Sequence, residues 1–179
     1  GIVAQALNIL VVDDEKPIRE VMKEFLERRH SYRVLTAQDG FEALQIIAKE
    51  KIDCCLTDIS MPGVDGLELT ERIQSLDNTI PVVVMTGYPS LESAIRTLKN
   101  GVVDFLIKPV KMEQLSMVIE RTMRGRALFV ENVLLKEEVK NMERILELNR
   151  ELEEKIRELE TGNLILRRLD HPARSRALF

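Results

Sequence analysis

Tryptophan is absent from this sequence, and aromatic residues make up only 4% of it. That is too little for the stacking surfaces that hold single-stranded nucleic acid, and it does not suit a secreted β-sandwich. Cysteine is almost missing as well. Cys54 and Cys55 are adjacent within an apolar run; neighbours on a strand point to opposite faces and are poorly placed to bridge. Both read as small core hydrophobes in a reducing compartment. No apolar run approaches the ~18 residues of a membrane span, and Gly1 to Asn8 lacks the basic start and cleavage site of a signal peptide. These absences predict a cytoplasmic protein without a membrane segment. A basic surplus is lacking too: the net charge is -4, which leaves no global footprint for nucleic acid. Arg167, Arg168, Arg174 and Arg176 form a weak cluster that reads as solvated tail, and His30 and His171 have no metal-ligand partners nearby in sequence.

What is present is 45% hydrophobic and 31% charged residues over 179 positions, which suits one globular domain plus a charged extension. The stretch Cys54 to Gly66, CCLTDISMPGVDG, organises the rest. Its apolar run stops at Asp58, then Met61-Pro62-Gly63 and Asp65-Gly66 turn the chain and Leu67 opens a helical pattern. Asn8 to Val12 repeats that grammar, ending in Asp13-Asp14-Glu15 before a helix with Pro17 in its first turn. Tyr32 to Ala37 and Phe41 to Ala48 form a second strand and helix, with Asp39-Gly40 between them. A fourth strand, VVVMT, follows Pro81 and ends at Thr86; a helix through Leu91, Ala94, Ile95 and Leu98 follows, closed by Asn100-Gly101. Val102 to Ile107 is a fifth strand ending in Lys108-Pro109, and Met112 begins a fifth helix. Five alternations with buried strands imply an α/β domain whose parallel sheet is covered on both faces.

Right-handed crossovers bring the strand carboxyl ends to one edge. Asp13, Asp14, Asp58, Thr86 and Lys108 collect there. Each alone reads as a cap or solvated residue; together they are three carboxylates, a hydroxyl and an ammonium. Carboxylates in contact repel unless a cation sits among them, and an all-oxygen set suits Mg²⁺. A carboxylate nucleophile, a divalent metal and a lysine make a phosphoryl-transfer site with Asp58 as acceptor and an aspartyl phosphate as product. An acyl phosphate is labile, which suits a timed signal.

Asp13-Asp14, the TDISMPGVDG segment around Asp58, Thr86-Gly87 and Lys108-Pro109, in this order, resemble the receiver domain of bacterial two-component response regulators over roughly residues 7 to 124. The resemblance implies a (βα)5 doubly wound, flavodoxin- or CheY-like fold with a five-stranded parallel sheet. It also implies that a sensor histidine kinase phosphorylates Asp58, and that Asp13, Asp14 and Asp58 hold Mg²⁺ together with the main-chain oxygen of Ser60. Thr86 would turn to the phosphoryl group, Lys108 would pair with it, and Pro109 would follow a cis bond. Phe105 takes the family's switch-aromatic position, with ordinary core as the alternative. Ser60 and Tyr88 either flank the water path or are simply loop residues. Physically, a phosphoryl group with up to about two negative charges draws Thr86 and Lys108 toward it and leaves room for a ring.

Beyond Arg121 the composition shifts to Glu, Lys, Arg and Leu, with no proline until Pro172. In one register Met142, Asn149, Ile156 and Asn163 fall at a, and Ile145, Leu152, Leu159 and Leu166 at d. Leucine at d with asparagine at a is the pattern of a parallel two-stranded coiled coil; Lys155 at g then faces Glu160 at the following e. Upstream, Leu128, Leu135, Val139 and Leu146 follow a shifted phase, with Gly125 as a joint. The expected organisation is a receiver at 1-124, a helical coiled-coil dimerisation linker at 125-170 and a short tail at 171-179, with a parallel homodimer as the assembly. A surface helix packed on its own domain is the alternative.

The output module lies outside this sequence. Resemblance leans toward the NtrC-like transcription activators through DFLIKP and MTGYPSLESA, with a cyclic-di-GMP enzyme or a phosphatase as alternatives. A hydrolase with an aspartate nucleophile, as in haloacid-dehalogenase-like phosphatases, needs a second acid two residues on, where this chain has Ser60. A degenerate receiver acting only as a scaffold is the other rival, disfavoured by the complete acidic, Thr and Lys set. The expected role is therefore a signalling phosphoacceptor and not an enzyme.

Overall fold

The computed structural model describes residues 6–88 and 101–170. The elements are β1 (Asn8–Val12), α1 (Lys16–His30), β2 (Arg33–Ala37), α2 (Gly40–Lys49), β3 (Cys54–Asp58), α3 (Gly66–Leu76), β4 (Val82–Thr86), β5 (Val102–Ile107) and α4 (Met112–Asp170). The helix expected through Leu91 and Leu98, its Asn100 cap and the 171-179 tail lie outside the described residues. The chain divides into two units, Gly1–Val130 and Glu131–Phe179, described separately below.

Local sequence sets the helix ends in the first unit. Pro17 occupies the opening turn of α1, and Arg28, Arg29 and His30 complement the negative end of its dipole before Ser31 turns left-handed at φ 56°. The Asp39 carboxylate accepts the Glu42 N–H at 2.8 Å to start α2. Asp65 likewise accepts the Glu68 N–H at 2.8 Å to start α3. Pairing is parallel throughout, in the order β2-β1-β3-β4-β5. Chain order reverses between β1 and β3, and that switch point opens a crevice beyond their carboxyl ends.

The sheet separates two cores. Leu10, Val12, Cys55, Val82 and Val84 meet Ala43, Leu69 and Ile73 on one face. Ile9, Val11, Cys54, Leu56, Val83 and Met85 meet Met22, Leu26, Leu115 and Ile119 on the other. Cys54 and Cys55 therefore sit in different cores as free, buried thiols; burial pushes the Cys54 thiol up to about 12 and raises that of Cys55 as well. The second core also holds α1 to α4 by a polar clasp: the His30 ring, stacked on Tyr32, places Nε2 2.7 Å from Ser116 Oγ and Nδ1 3.5 Å from a Glu120 oxygen.

One expectation needs correction. Not every strand is buried: on β5, at the sheet edge, Val103, Phe105 and Ile107 are 54%, 45% and 48% exposed. Successive side chains on a strand point to opposite faces, so Leu106 packs into the second core while Val103, Phe105 and Ile107 face the other way. Phe105 is therefore not an ordinary core residue. α4 runs through Gly125 without interruption, and the first unit continues to Val130. Arg126 is fixed there by an ion pair with buried Asp53, Nη2 to Oδ1 3.1 Å, while the Asn8 N–H donates to the other Asp53 oxygen at 2.8 Å.

In the second unit α4 continues to Asp170 as a single helix; the stretch 131–170 is about 60 Å long at ~1.5 Å per residue. Its large apolar side chains are exposed, among them Ile145 at 52%, Leu152 at 59% and Leu159 at 63%. No helix among the described residues is long and apolar enough to cross a membrane.

Candidate functional site

Three strand ends build the site. β1 delivers Asp13, which is fully buried, with its N–H bonded to Ala37 O at 3.1 Å and its carbonyl taking the Arg19 guanidinium at 2.7 Å. β3 delivers Asp58, 6% exposed; the chain then stays on the sheet edge through the Ile59 N–H, which donates to Met85 O at 2.9 Å. β5 delivers Lys108, whose N–H donates to Thr86 O at 2.8 Å before the cis Lys108–Pro109 bond redirects the chain.

Their side chains meet. Lys108 Nζ donates to Asp13 Oδ2 and to Asp58 Oδ2, each at 2.9 Å. Exposed Asp14 completes a cluster in which one oxygen of each of Asp13, Asp14 and Asp58 lies within 4.8 Å of the others. Desolvation works against the Lys108 ammonium, and its hydrogen bonds to Asp58 and Asp13 and their charges overcome that cost, so its pKa is raised. Asp13 Oδ1 accepts the Glu15 N–H at 2.9 Å, and Asp58 Oδ1 accepts the Ser60 N–H at 3.2 Å. One ammonium against three carboxylates leaves an excess of negative charge that a divalent cation would offset. The all-oxygen donor set fits Mg²⁺.

The side chains of Thr86 and Phe105 make no hydrogen bond to this cluster. Thr86 is one residue beyond Met85, the β4 partner of Asp58, and its Oγ1 accepts the Tyr88 N–H at 3.2 Å. Phe105 pairs with Val84 on the open edge.

Gly66 is a site-shaping residue that sequence reasoning treated only as a turn. A Cβ there would lie 2.3 Å from the Asp58 carbonyl oxygen, so glycine is what allows α3 to start against the back of the acceptor strand. Arg19 was missed as well, because an arginine on an amphipathic helix carries no signal that it will reach a backbone carbonyl. Gly63, at φ +77°, serves the same loop.

The geometry agrees with family comparison. Residues 9–120 match the response regulator receiver domain model, and the chain belongs to that family. Curated relatives include the transcriptional regulatory protein ZraR of Klebsiella oxytoca, 34% identical over 119 residues that cover 66% of this chain and 27% of ZraR. The response regulator protein PilR of Pseudomonas aeruginosa is 39% identical over 117 residues, 65% of this chain and 26% of PilR. The chain thus spans about a quarter of the length of these relatives. Among solved structures, the CheY-like receiver domain protein of Methanospirillum hungatei JF-1 superposes with a TM-score of 0.66 at 31% identity, covering 69% of this chain and 98% of that one.

Proposed function

We propose that this chain is the phosphorylation-controlled input of a two-component response regulator. Asp58 is the acceptor: its carboxylate oxygen attacks the phosphorus of a phosphohistidine on a sensor kinase, the O–P bond forms as the N–P bond breaks, and the electron pair returns to the imidazole. The contact that carries this reading is Lys108 Nζ at 2.9 Å from both Asp13 and Asp58, an ammonium placed to meet phosphoryl oxygens beside the nucleophile. Asp13, Asp14, Asp58 and the Ser60 main-chain oxygen would hold Mg²⁺. When bound, that ion would neutralise phosphoryl charge and so relieve the repulsion between acceptor and donor. An apolar cleft of about 540 Å³ between α1 and the loop after β5, lined by Ile18, Val21, Pro109 and Met112, opens beside Lys108. It gives the kinase a surface next to the acceptor.

In this reading Thr86 and Lys108 respond to the new charge and Phe105 follows on the β5 edge. The state of Asp58 then passes along the α4 helix of a parallel homodimer to an output module beyond this sequence. The name of ZraR, a transcriptional regulatory protein, supports a transcriptional output. A cytoplasmic location completes the proposal, with receiver, helical linker and tail at about 1-124, 125-170 and 171-179 by function, although the compact first unit extends along α4 to Val130.

Incubation with a small acyl phosphate and Mg²⁺ is expected to add one phosphoryl group, read by intact mass, and Asp58→Asn is expected to abolish it. Phosphate mapped to any other residue would refute the assignment. Removing the metal with chelator is expected to stop loading in the unsubstituted chain as well.

A further inference from the structure

We infer that the coiled-coil seam of the 131–170 helix changes phase between Met142 and Asn149, an inference that rests on the parallel homodimer proposed above. Two heptad registers overlap there. In the upstream one Leu135 and Met142 take d while Val139 and Leu146 take a. Downstream, Met142, Asn149 and Ile156 take a while Ile145, Leu152 and Leu159 take d.

Neither register runs the whole length. Continuing the downstream phase toward the amino end puts Glu138 at d. Continuing the upstream phase toward the carboxyl end puts Glu153 and Glu160 at a. In a parallel dimer each of these glutamates would face its own copy across a desolvated seam, a like-charge contact without compensation. The sequence of seam positions free of charged residues is instead 135, 139, 142, 145, 149, 152, with two steps of three in succession. That spacing equals a three-residue insertion, which locally overwinds a coiled coil.

The structure excludes the simple ways of absorbing the change. α4 is one continuous helix across the segment, with no break or kinking proline, so the phase change falls within the helix and must be accommodated in the seam. Val139, Ile145 and Leu146 are 58%, 52% and 56% exposed, leaving both candidate stripes open to a second copy. Exchanging a for d at Met142 corresponds to rotating each helix by about 50° about its axis. Ile145 and Leu146 are the alternative seam residues on either side of that rotation. The segment thereby offers the dimer two neighbouring packings, and a change at the amino end of the helix can shift the balance between them.

Oxidative disulfide crosslinking of full-chain variants with one added cysteine tests this, with the unsubstituted chain as control because the native Cys54 and Cys55 are buried. Val139→Cys is expected to crosslink several-fold faster than Glu138→Cys, and Leu152→Cys several-fold faster than Glu153→Cys. Fast pairs at 138 with 152, or at 139 with 153, mean one uninterrupted register and overturn the inference while leaving the dimer in place. No crosslinking at any position, with a monomer in sedimentation, overturns the dimer itself. A second variant guards against local distortion by the cysteines: deleting Glu143, Arg144 and Ile145 joins the two phases into one. It is expected to tighten the dimer, and a weaker dimer would show that no phase change was there to remove.

Discussion

In the first unit, apolar side chains such as Leu56, Leu69 and Ile119 are fully buried, whereas in the second Leu152, Ile156 and Leu159 are 59%, 47% and 63% exposed. Residue types are shared; the period differs. Short β-rich runs alternating with amphipathic helices close two cores within one chain. A narrow a/d stripe on a single helix has nothing of its own to close against. The described residues of the first unit bury their own apolar surface, and those of the second leave theirs exposed.

The largest effect expected from that contrast comes from a matched pair of truncations. Leu56→Ala should destabilise the first unit by about 2–5 kcal/mol, independent of protein concentration, in chemical denaturation. Leu152→Ala should leave that transition unmoved and weaken self-association in sedimentation. Concentration-dependent loss from Leu56→Ala, or a shifted unfolding transition of the first unit from Leu152→Ala, would break the comparison.

Gly66→Ala comes next, because its Cβ would meet the Asp58 carbonyl at 2.3 Å. A cost of about 1–3 kcal/mol is expected, with slower phosphoryl loading, since α3 must retreat from the acceptor strand. Denaturation and loading kinetics read the two consequences separately.

Lys108 gives a pH signature confined to the first unit. Its pKa is raised in the folded chain, so the stabilisation from its pairing with Asp58 and Asp13 is fully present below the ordinary lysine value of 10.5 and is lost as pH rises through the raised value. The stability difference between the unsubstituted chain and Lys108→Met should be flat through neutral pH and change only in the alkaline limb. A change near pH 7 would contradict it.

The smallest effect is a gain. Gly125 lies inside α4, and a Cβ there meets nothing within 4 Å. Gly125→Ala should stabilise the helix by about 0.5–1 kcal/mol, seen as a small rise in Tm.

Much of the first unit was legible in the sequence because its signals are local. Runs ending at Asp13, Asp58, Thr86 and Lys108 mark strand ends, and Asp39 and Asp65 mark helix starts. The edge status of β5 was not legible, since VVDFLI reads as a buried run until its neighbours are known. The lysine bridge was legible only as a gathering at one edge; that Lys108 touches Asp13 and Asp58 directly depends on strands far apart in sequence. Arg126 was invisible within a charged helix, because its partner Asp53 lies 73 positions earlier.

Sequence alone determined the order of strands and helices, the acidic and basic residues at strand ends and the two overlapping heptad phases, all of which are set by neighbours within a few positions along the chain. Tertiary structure decided which carboxylates share the ammonium, why position 66 must lack a side chain, which strand is left at the edge and how far the first unit reaches along α4. Those follow from contacts that exist only once the parallel sheet has brought distant segments together.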